Sequence, residues 1–252
     1  VQKRISGIIE RLYQYWQPHL VDEEEIAFYR AAILEADGSA LEMACGGGRL
    51  LLRFLKEGFP VEGVDSSKEM LDILRSHAAK LGCNPTLYCQ KIEDLHIQKI
   101  YRLLYISLGS FQFISDEYGI KIALAKYCEL LEKGGKLIIP LFIPWTDRSY
   151  ENPNWRIVSD MNVKSRNCRL VRRELCTHDP VEQIIEARLR YETWQKKDLL
   201  EMTEKSIRIR WYAKGEFIAL LKEAGFSQVE MLRSYGKEAT PRPDFMLFIA
   251  QK

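Results

Sequence analysis

Between residues 39 and 144 short apolar runs alternate with single helical stretches, and this constrains the fold more than any other feature. SALEMA (39–44), PVEGVD (60–65), PTLYCQ (85–90), YRLLYISL (101–108) and KLIIPLFIP (136–144) have the length of buried strands. Between them, RLLLRFLKEG (49–58), SKEMLDILRSHAAKLG (67–82) and EYGIKIALAKYCELLEKGG (117–135) read as helices, the last stopped at Gly134–Gly135. Strands joined through one helix must run parallel with right-handed crossovers, and apolar runs this short fit strands covered on both faces. Residues 1–146 therefore read as a doubly wound α/β domain. Two helices precede the first strand: one over 5–16, with Ile5, Ile8, Ile9, Leu12 and Trp16 near helical spacing, and one over 22–36, with Asp22 as N-cap and Gly38 as stop.

The periodicity changes after Asp147. In EARLRYETW (186–194) Ala187, Leu189, Tyr191 and Thr193 fall on one face, and Glu186, Arg188, Arg190 and Glu192 on the other. CRLVRRELC (168–176) and EKSIRIRWY (204–212) alternate in the same way, and His178-Asp179-Pro180 supplies a turn. Three antiparallel strands are expected in an insertion over 147–212, with the arginines around 172–173 on its solvated face and His178 a solvated turn residue. A helix at 214–226 and a closing strand at 244–252 return to the α/β sheet.

The chain has 252 residues and a net charge of +2, too small a field for a dedicated nucleic-acid binder. No run reaches the roughly 18 apolar residues of a membrane span, and VQKRISGIIE lacks the apolar centre of a secretion signal. The expectation is a cytoplasmic protein that engages neither membrane nor nucleic acid. The six cysteines and four histidines are dispersed, with no metal-ligand spacing, so no metal is expected.

The first strand runs into ACGGGR (44–49). Glycines there let backbone approach a ligand, at the strand end where open α/β sheets bind. Asp65, at the carboxyl end of the second strand, can accept hydrogen bonds from both hydroxyls of a ribose. Ser66 or Ser67 already serves as N-cap of the next helix, which leaves Asp65 for a nucleoside. The third glycine of a dinucleotide fingerprint is missing, since Leu51 stands there, and no G-x-x-x-x-G-K-[ST] string occurs. Glu42, in the strand before the loop, suits a cationic ligand or the loop's own amides better than a pyrophosphate. Cys45 reads as a small packed residue, not a nucleophile.

ALEMACGGGR resembles motif I of the class I S-adenosylmethionine-dependent methyltransferases, and KEGFPVEGVDSSKEML resembles the helix, second strand and ribose acid that follow it there. LLYISLGSFQFI, LLEKGGKLIIPLF and GEFIALLKEAGF resemble the family's fourth strand, fifth strand and last helix. The insertion before that helix is similar to those of small-molecule members such as the glycine and sugar N-methyltransferases. The resemblance implies a seven-stranded, mostly parallel Rossmann-like sheet with an antiparallel β insertion. Its cofactor-binding core would span 1–146 and 213–252, with 1–36 as helical cover and 147–212 as substrate lid. It implies S-adenosyl-L-methionine as cofactor, bound by Tyr13, Glu42, Ala44, Cys45, Gly46, Gly48, Asp65, Ser66, Met70, Ile92, Glu93 and Leu108. Tyr15, Trp16, Phe111, Trp145 and Tyr212 would wall the substrate pocket.

The implied reaction is in-line methyl transfer to a small-molecule N or O acceptor, with no catalytic dyad in view. Other readings are a protein or RNA methyltransferase, a non-catalytic binder of the same cofactor, and a nicotinamide-dependent oxidoreductase. SLGS (107–110) stands where amino-methylating DNA enzymes carry [DN]PPY. Four positions depart from the family pattern, one of them Lys133 before Gly134-Gly135. Ala44 replaces the first glycine and is tolerable where φ is negative. Gly47 replaces a threonine, and Lys91 an acid.

Overall fold

The computed structural model describes residues 22–37, 39–143, 154–163, 167–236 and 245–252. The helix expected over 5–16, with Tyr13, Tyr15 and Trp16, lies outside them, as does Trp145. The described residues form two compact units, 22–143 with 212–252, and 154–211.

The larger unit is a seven-stranded sheet. Its strands in chain order are β1 (Ala40–Met43), β2 (Val61–Asp65), β3 (Leu87–Cys89), β4 (Tyr101–Ile106), β5 (Leu131–Phe142), β10 (Gln228–Leu232) and β11 (Phe245–Gln251). Across the sheet the order is β10-β11-β5-β4-β1-β2-β3. Strands β1 to β5 pair in parallel, whereas β11 runs antiparallel to both β5 and β10. Both faces are covered, as the apolar runs require. Leu41, Met43, Leu104, Ile106 and Ile139 join the core beneath α4 (Glu117–Leu130) and α5 (Lys214–Glu223). On the other face Ala40, Leu103, Tyr105 and Ile138 pack with α1 (Glu23–Glu35), α2 (Leu51–Lys56) and α3 (Lys68–Lys80). Order reverses about β1, which lies between β2 and β4, so the switch point opens beyond Met43 and Ile106.

Local signals explain most ends. Asp22 accepts from Glu24 N at 2.9 Å and caps α1. Ser67 caps α3 by accepting from Met70 N at 3.2 Å. The Gly134–Gly135 stop expected for α4 is a correction: the helix ends at Leu130, and 131–135 already belongs to β5. The chain's last residue competes for that backbone. Gly134 N donates to Lys252 O and Lys252 N to Gly135 O, both at 3.0 Å, while Lys252 Nζ reaches Leu131 O at 2.6 Å. Strand β10 adds to the strands expected from sequence; as an edge strand with a half-exposed pattern it carries little apolar signal.

The smaller unit is a four-stranded antiparallel sheet, β6 (Arg156–Val163), β7 (Cys168–Asp179), β8 (Ile184–Gln195) and β9 (Asp198–Arg210), in that order. Four strands replace the three expected, since RIVSDMNV alternates too weakly to read. Ala187, Leu189 and Tyr191 are buried as the alternation demands. Glu192, assigned to the solvated face, is buried instead, with Arg173 Nε donating to it at 3.0 Å and Trp194 Nε1 at 2.8 Å. Arg172 and Arg173 are half-buried, not solvated. His178 is likewise no solvated turn residue: it lies in β7, and its Nε2 accepts from Trp211 Nε1 at 2.9 Å. Among the described residues no helix is long and apolar enough to cross a membrane.

Candidate active site

The loop after β1 is shaped by packing beneath it. Gly63 in β2 leaves the space that the Cys45 side chain fills; a Cβ at 63 would stand 2.8 Å from Cys45 Sγ and 3.0 Å from side-chain carbons of Leu51 and Leu87. Cys45 is 2% exposed, its N donates to Val64 O at 3.0 Å, and burial pushes its thiol pKa up. A buried neutral thiol is no nucleophile, so Cys45 contributes backbone to the loop. Gly48, at φ +86°, could not carry a side chain: its Cβ would meet Leu52 Cγ at 2.8 Å and Leu74 Cγ at 2.9 Å.

Ala44 corrects an expectation. Its φ is +55°, not negative, so the chain holds an alanine in the left-handed region at a cost of about 1–2 kcal/mol. Leu108, after β4, is also left-handed at φ +54° and is 54% exposed. Two strained non-glycine residues thus flank the switch point.

Asp65 ends β2 with its carboxylate over this loop. Oδ2 accepts from Gly46 N at 2.8 Å and Oδ1 from Ser67 N at 2.8 Å. A carboxylate offers about four acceptor positions, and Asp65 is only half-buried, so it can take further donors from a ligand. Its backbone O also accepts from Gln90 N at 3.1 Å, which ties the loop after β3 to the same point. Beyond Gln90, Ile92 is 9% exposed and its O accepts from Tyr127 OH at 2.9 Å, while Glu93 is partly exposed with Lys91 Nζ at 3.8 Å. Ser66 is exposed and Met70 half-buried at the start of α3.

Beneath the loop lies a buried charged cluster. Arg49 Nη1 and Nη2 donate to Glu25 Oε2 at 2.5 Å and Oε1 at 2.8 Å, with both side chains nearly inaccessible. Glu42 is 1% exposed, accepts from Tyr105 OH at 3.2 Å, and has its pKa raised to about 8. Desolvation causes that rise, against the opposing pull of Arg49, Tyr105 and the Leu51 backbone N–H. Glu42 therefore serves the loop's internal network. Tyr29 of α1 joins the cluster to β4 by donating from its OH to Ile106 O at 2.9 Å.

Two expected pocket walls are core residues. Phe111 is 0% and Tyr212 1% exposed, packed tilted or edge-on against each other and Phe217 at centroid distances of 5.0–6.2 Å. Aromatic content cannot separate a pocket wall from core at helical spacing. Conversely, reading by motif missed Glu25, which looked like one of three first-turn acids, and Gln112, which carries no pattern at all. Gln112 is 1% exposed; its Oε1 accepts from Phe142 N at 2.5 Å and its Nε2 donates to Phe142 O at 3.3 Å.

Known proteins resemble the chain in sequence and in fold. Residues 40–135 match the family model described as a methyltransferase domain. The chain is 31% identical over 101 residues to a ubiquinone biosynthesis O-methyltransferase of Coxiella burnetii (strain Dugway 5J108-111), covering 37% of this chain and 43% of that protein. It is 28% identical over 107 residues to the dTDP-3-amino-3,4,6-trideoxy-alpha-D-glucopyranose N,N-dimethyltransferase of Streptomyces venezuelae, covering 42% of each. The chain thus spans less than half the length of these curated relatives. The crystal structure of an S-adenosylmethionine-dependent methyltransferase from Clostridium acetobutylicum ATCC 824 superposes with a TM-score of 0.77 at 18% identity, over 97% of this chain and 98% of that one, a likeness of fold.

Proposed function

We propose that this chain, whose residues 40–135 are a methyltransferase domain, moves a methyl group from S-adenosylmethionine to a small molecule. The observation that carries the reading is Asp65, held over the glycine loop by Gly46 N and Ser67 N at 2.8 Å each. The residues fit this cofactor's chemistry. Asp65 is a charged acceptor for the ribose hydroxyls. The loop offers close backbone at Gly46 and Gly48 for the amino-acid tail, and Ile92 with Glu93 follows at the adenine end. The loop's own guanidinium, Arg49, is turned inward onto Glu25 and adds no cation for a phosphate beyond the backbone N–H groups. With Leu51 in place of the third glycine, this fits a ligand positive at sulfur better than a dinucleotide.

When bound, S-adenosylmethionine supplies a methyl group on a sulfonium, already activated for displacement. The protein's contribution is placement and exclusion of water. Asp65 and the loop fix the nucleoside, and the β4–β5 ends face the acceptor. The protein acts in the cytoplasm on a small molecule.

Calorimetric titration with S-adenosylhomocysteine tests the assignment. Asp65→Ala is expected to weaken binding by about 1.5–3 kcal/mol, the worth of hydrogen bonds to a charged group. Unchanged affinity in a folded variant would remove Asp65 from the site and the reading with it.

A further inference from the structure

At the carboxyl ends of β4 and β5 the larger unit holds a cavity of about 300 Å³. Leu108, Phe142, Tyr235 and Phe245 give it apolar and aromatic walls, and the carboxylates Asp22 and Glu25 lie at its margin. Tyr235 and Phe245 stack with centroids 4.8 Å apart. Gln112 fixes Phe142 by bonding both its backbone N–H and its C=O, so that wall is rigid. Glu25 belongs to the cavity and also grips Arg49 of the glycine loop, which joins the cavity to the proposed cofactor site.

We propose that this cavity is the acceptor pocket and that it takes a compact amine; the assignment rests on the methyl-transfer reading above. Among the described lining residues there are two acids and no basic side chain. Arg49 neutralises Glu25, and Asp22 supplies the net negative charge. Aromatic faces beside a carboxylate attract an ammonium group and repel a carboxylate or phosphate. The same field opposes an O-acceptor, because it holds the proton on a hydroxyl, and among the described lining residues there is no lysine or histidine to remove it. The field also holds an ammonium proton, but an amine releases it to water from a pKa of about 10, far more readily than a hydroxyl at about 16, and so needs no built-in base. Its nitrogen lone pair bonds to the methyl carbon, the carbon–sulfur pair stays on sulfur, and the positive charge passes from sulfur to nitrogen. The acidic wall favours the charge where it arrives. The volume stands at the low end for small-molecule sites, which suits a single ring.

The test uses three ligands of one shape, cyclohexylamine, cyclohexanol and cyclohexanecarboxylate, titrated into the complex with S-adenosylhomocysteine. The amine is expected to bind about tenfold tighter than the alcohol, and the carboxylate weakest. With S-adenosylmethionine the amine should gain the mass of one methylene, read by mass spectrometry. Asp22→Asn keeps the helix cap, since both residues cap well, and removes the charge. It should cut amine affinity about fivefold to tenfold while leaving alcohol and S-adenosylhomocysteine binding unchanged. Equal or tighter binding of the alcohol, or an Asp22→Asn variant that binds the amine like the parent, overturns the amine assignment. Failure of S-adenosylhomocysteine to bind at the outset would instead overturn the methyl-donor reading.

Discussion

The Glu25–Arg49 pair offers the sharpest test of how the loop is held. Both side chains are within a few per cent of full burial, 3% and 4% exposed, and they meet through two parallel hydrogen bonds of 2.5 and 2.8 Å. A buried pair gains little over an apolar replacement, but removing one partner strands the other in a low dielectric, at about 3–5 kcal/mol. Glu25→Gln is the isosteric perturbation and leaves the guanidinium without its counter-charge. Arg49→Met removes the cation that faces the Glu25 carboxylate and the protonated Glu42 carboxyl. Each single variant should therefore lose a fifth or more of a typical stability of about 5–15 kcal/mol. The melting temperature should drop by roughly 6–20 °C at 2–4 °C per kcal/mol. In the double variant neither charge is stranded, so its loss should fall short of the sum by at least about 2 kcal/mol. Urea unfolding of the four proteins measures the cycle. Additivity within about 0.5 kcal/mol, or single losses below about 1 kcal/mol as for an exposed pair, would refute the claim that this bridge anchors the loop.

Glu42 gives a pH signature. Its folded pKa of about 8 lies above the ordinary 4.5, so the folded state holds the proton more tightly. The stabilisation is complete below about pH 4.5 and is lost as pH rises towards 8, by at most about 1.4 kcal/mol per unit. Glu42→Gln removes that slope, so the variant should gain on the parent between pH 5 and 8 in thermal melts; parallel curves would show that Glu42 does not titrate there. Gly63→Ala pushes a methyl to 2.8 Å from Cys45 Sγ. It should cost about 1–3 kcal/mol by overpacking, and Cys45→Ala in the same chain should recover part of that loss. Recovery of nothing would mean the clash lies with Leu51 and Leu87 alone.

The sheet was legible because its signal is redundant. Each of β1 to β5 is apolar, bounded and followed by a break, and parallel order follows from the connections alone. What escaped had no such redundancy. β6 and β10 are edge strands whose half-exposed faces dilute the alternation. The α4 end was misplaced because glycine signals are local, whereas Lys252, at the far end of the chain, decides where the carbonyls of 131–135 go. Ala44 shows the same limit at one residue. Nothing local forces an alanine to φ +55°; the strain is held by the β2 contact through Cys45 N and Val64 O.

The chemistry of the site divides along the same line. Asp65 and the glycines announce themselves, because a ribose needs an acid at one strand end and close backbone at another. Arg49 misleads in isolation, since an arginine closing a glycine loop suggests a phosphate clamp. Only the fold supplies Glu25, one helix away, which turns the guanidinium from the ligand side into the core. That one contact leaves the loop without a cation of its own for an anionic ligand. It also makes α1 a shared wall, for the helix that carries Glu25 begins at Asp22, beside the β4–β5 cavity. Any shift of α1 must then alter the glycine loop and the cavity together. It follows that Glu25→Gln should weaken S-adenosylhomocysteine and amine binding in parallel, whereas Asp22→Asn, which leaves Arg49 clamped, should touch the amine alone.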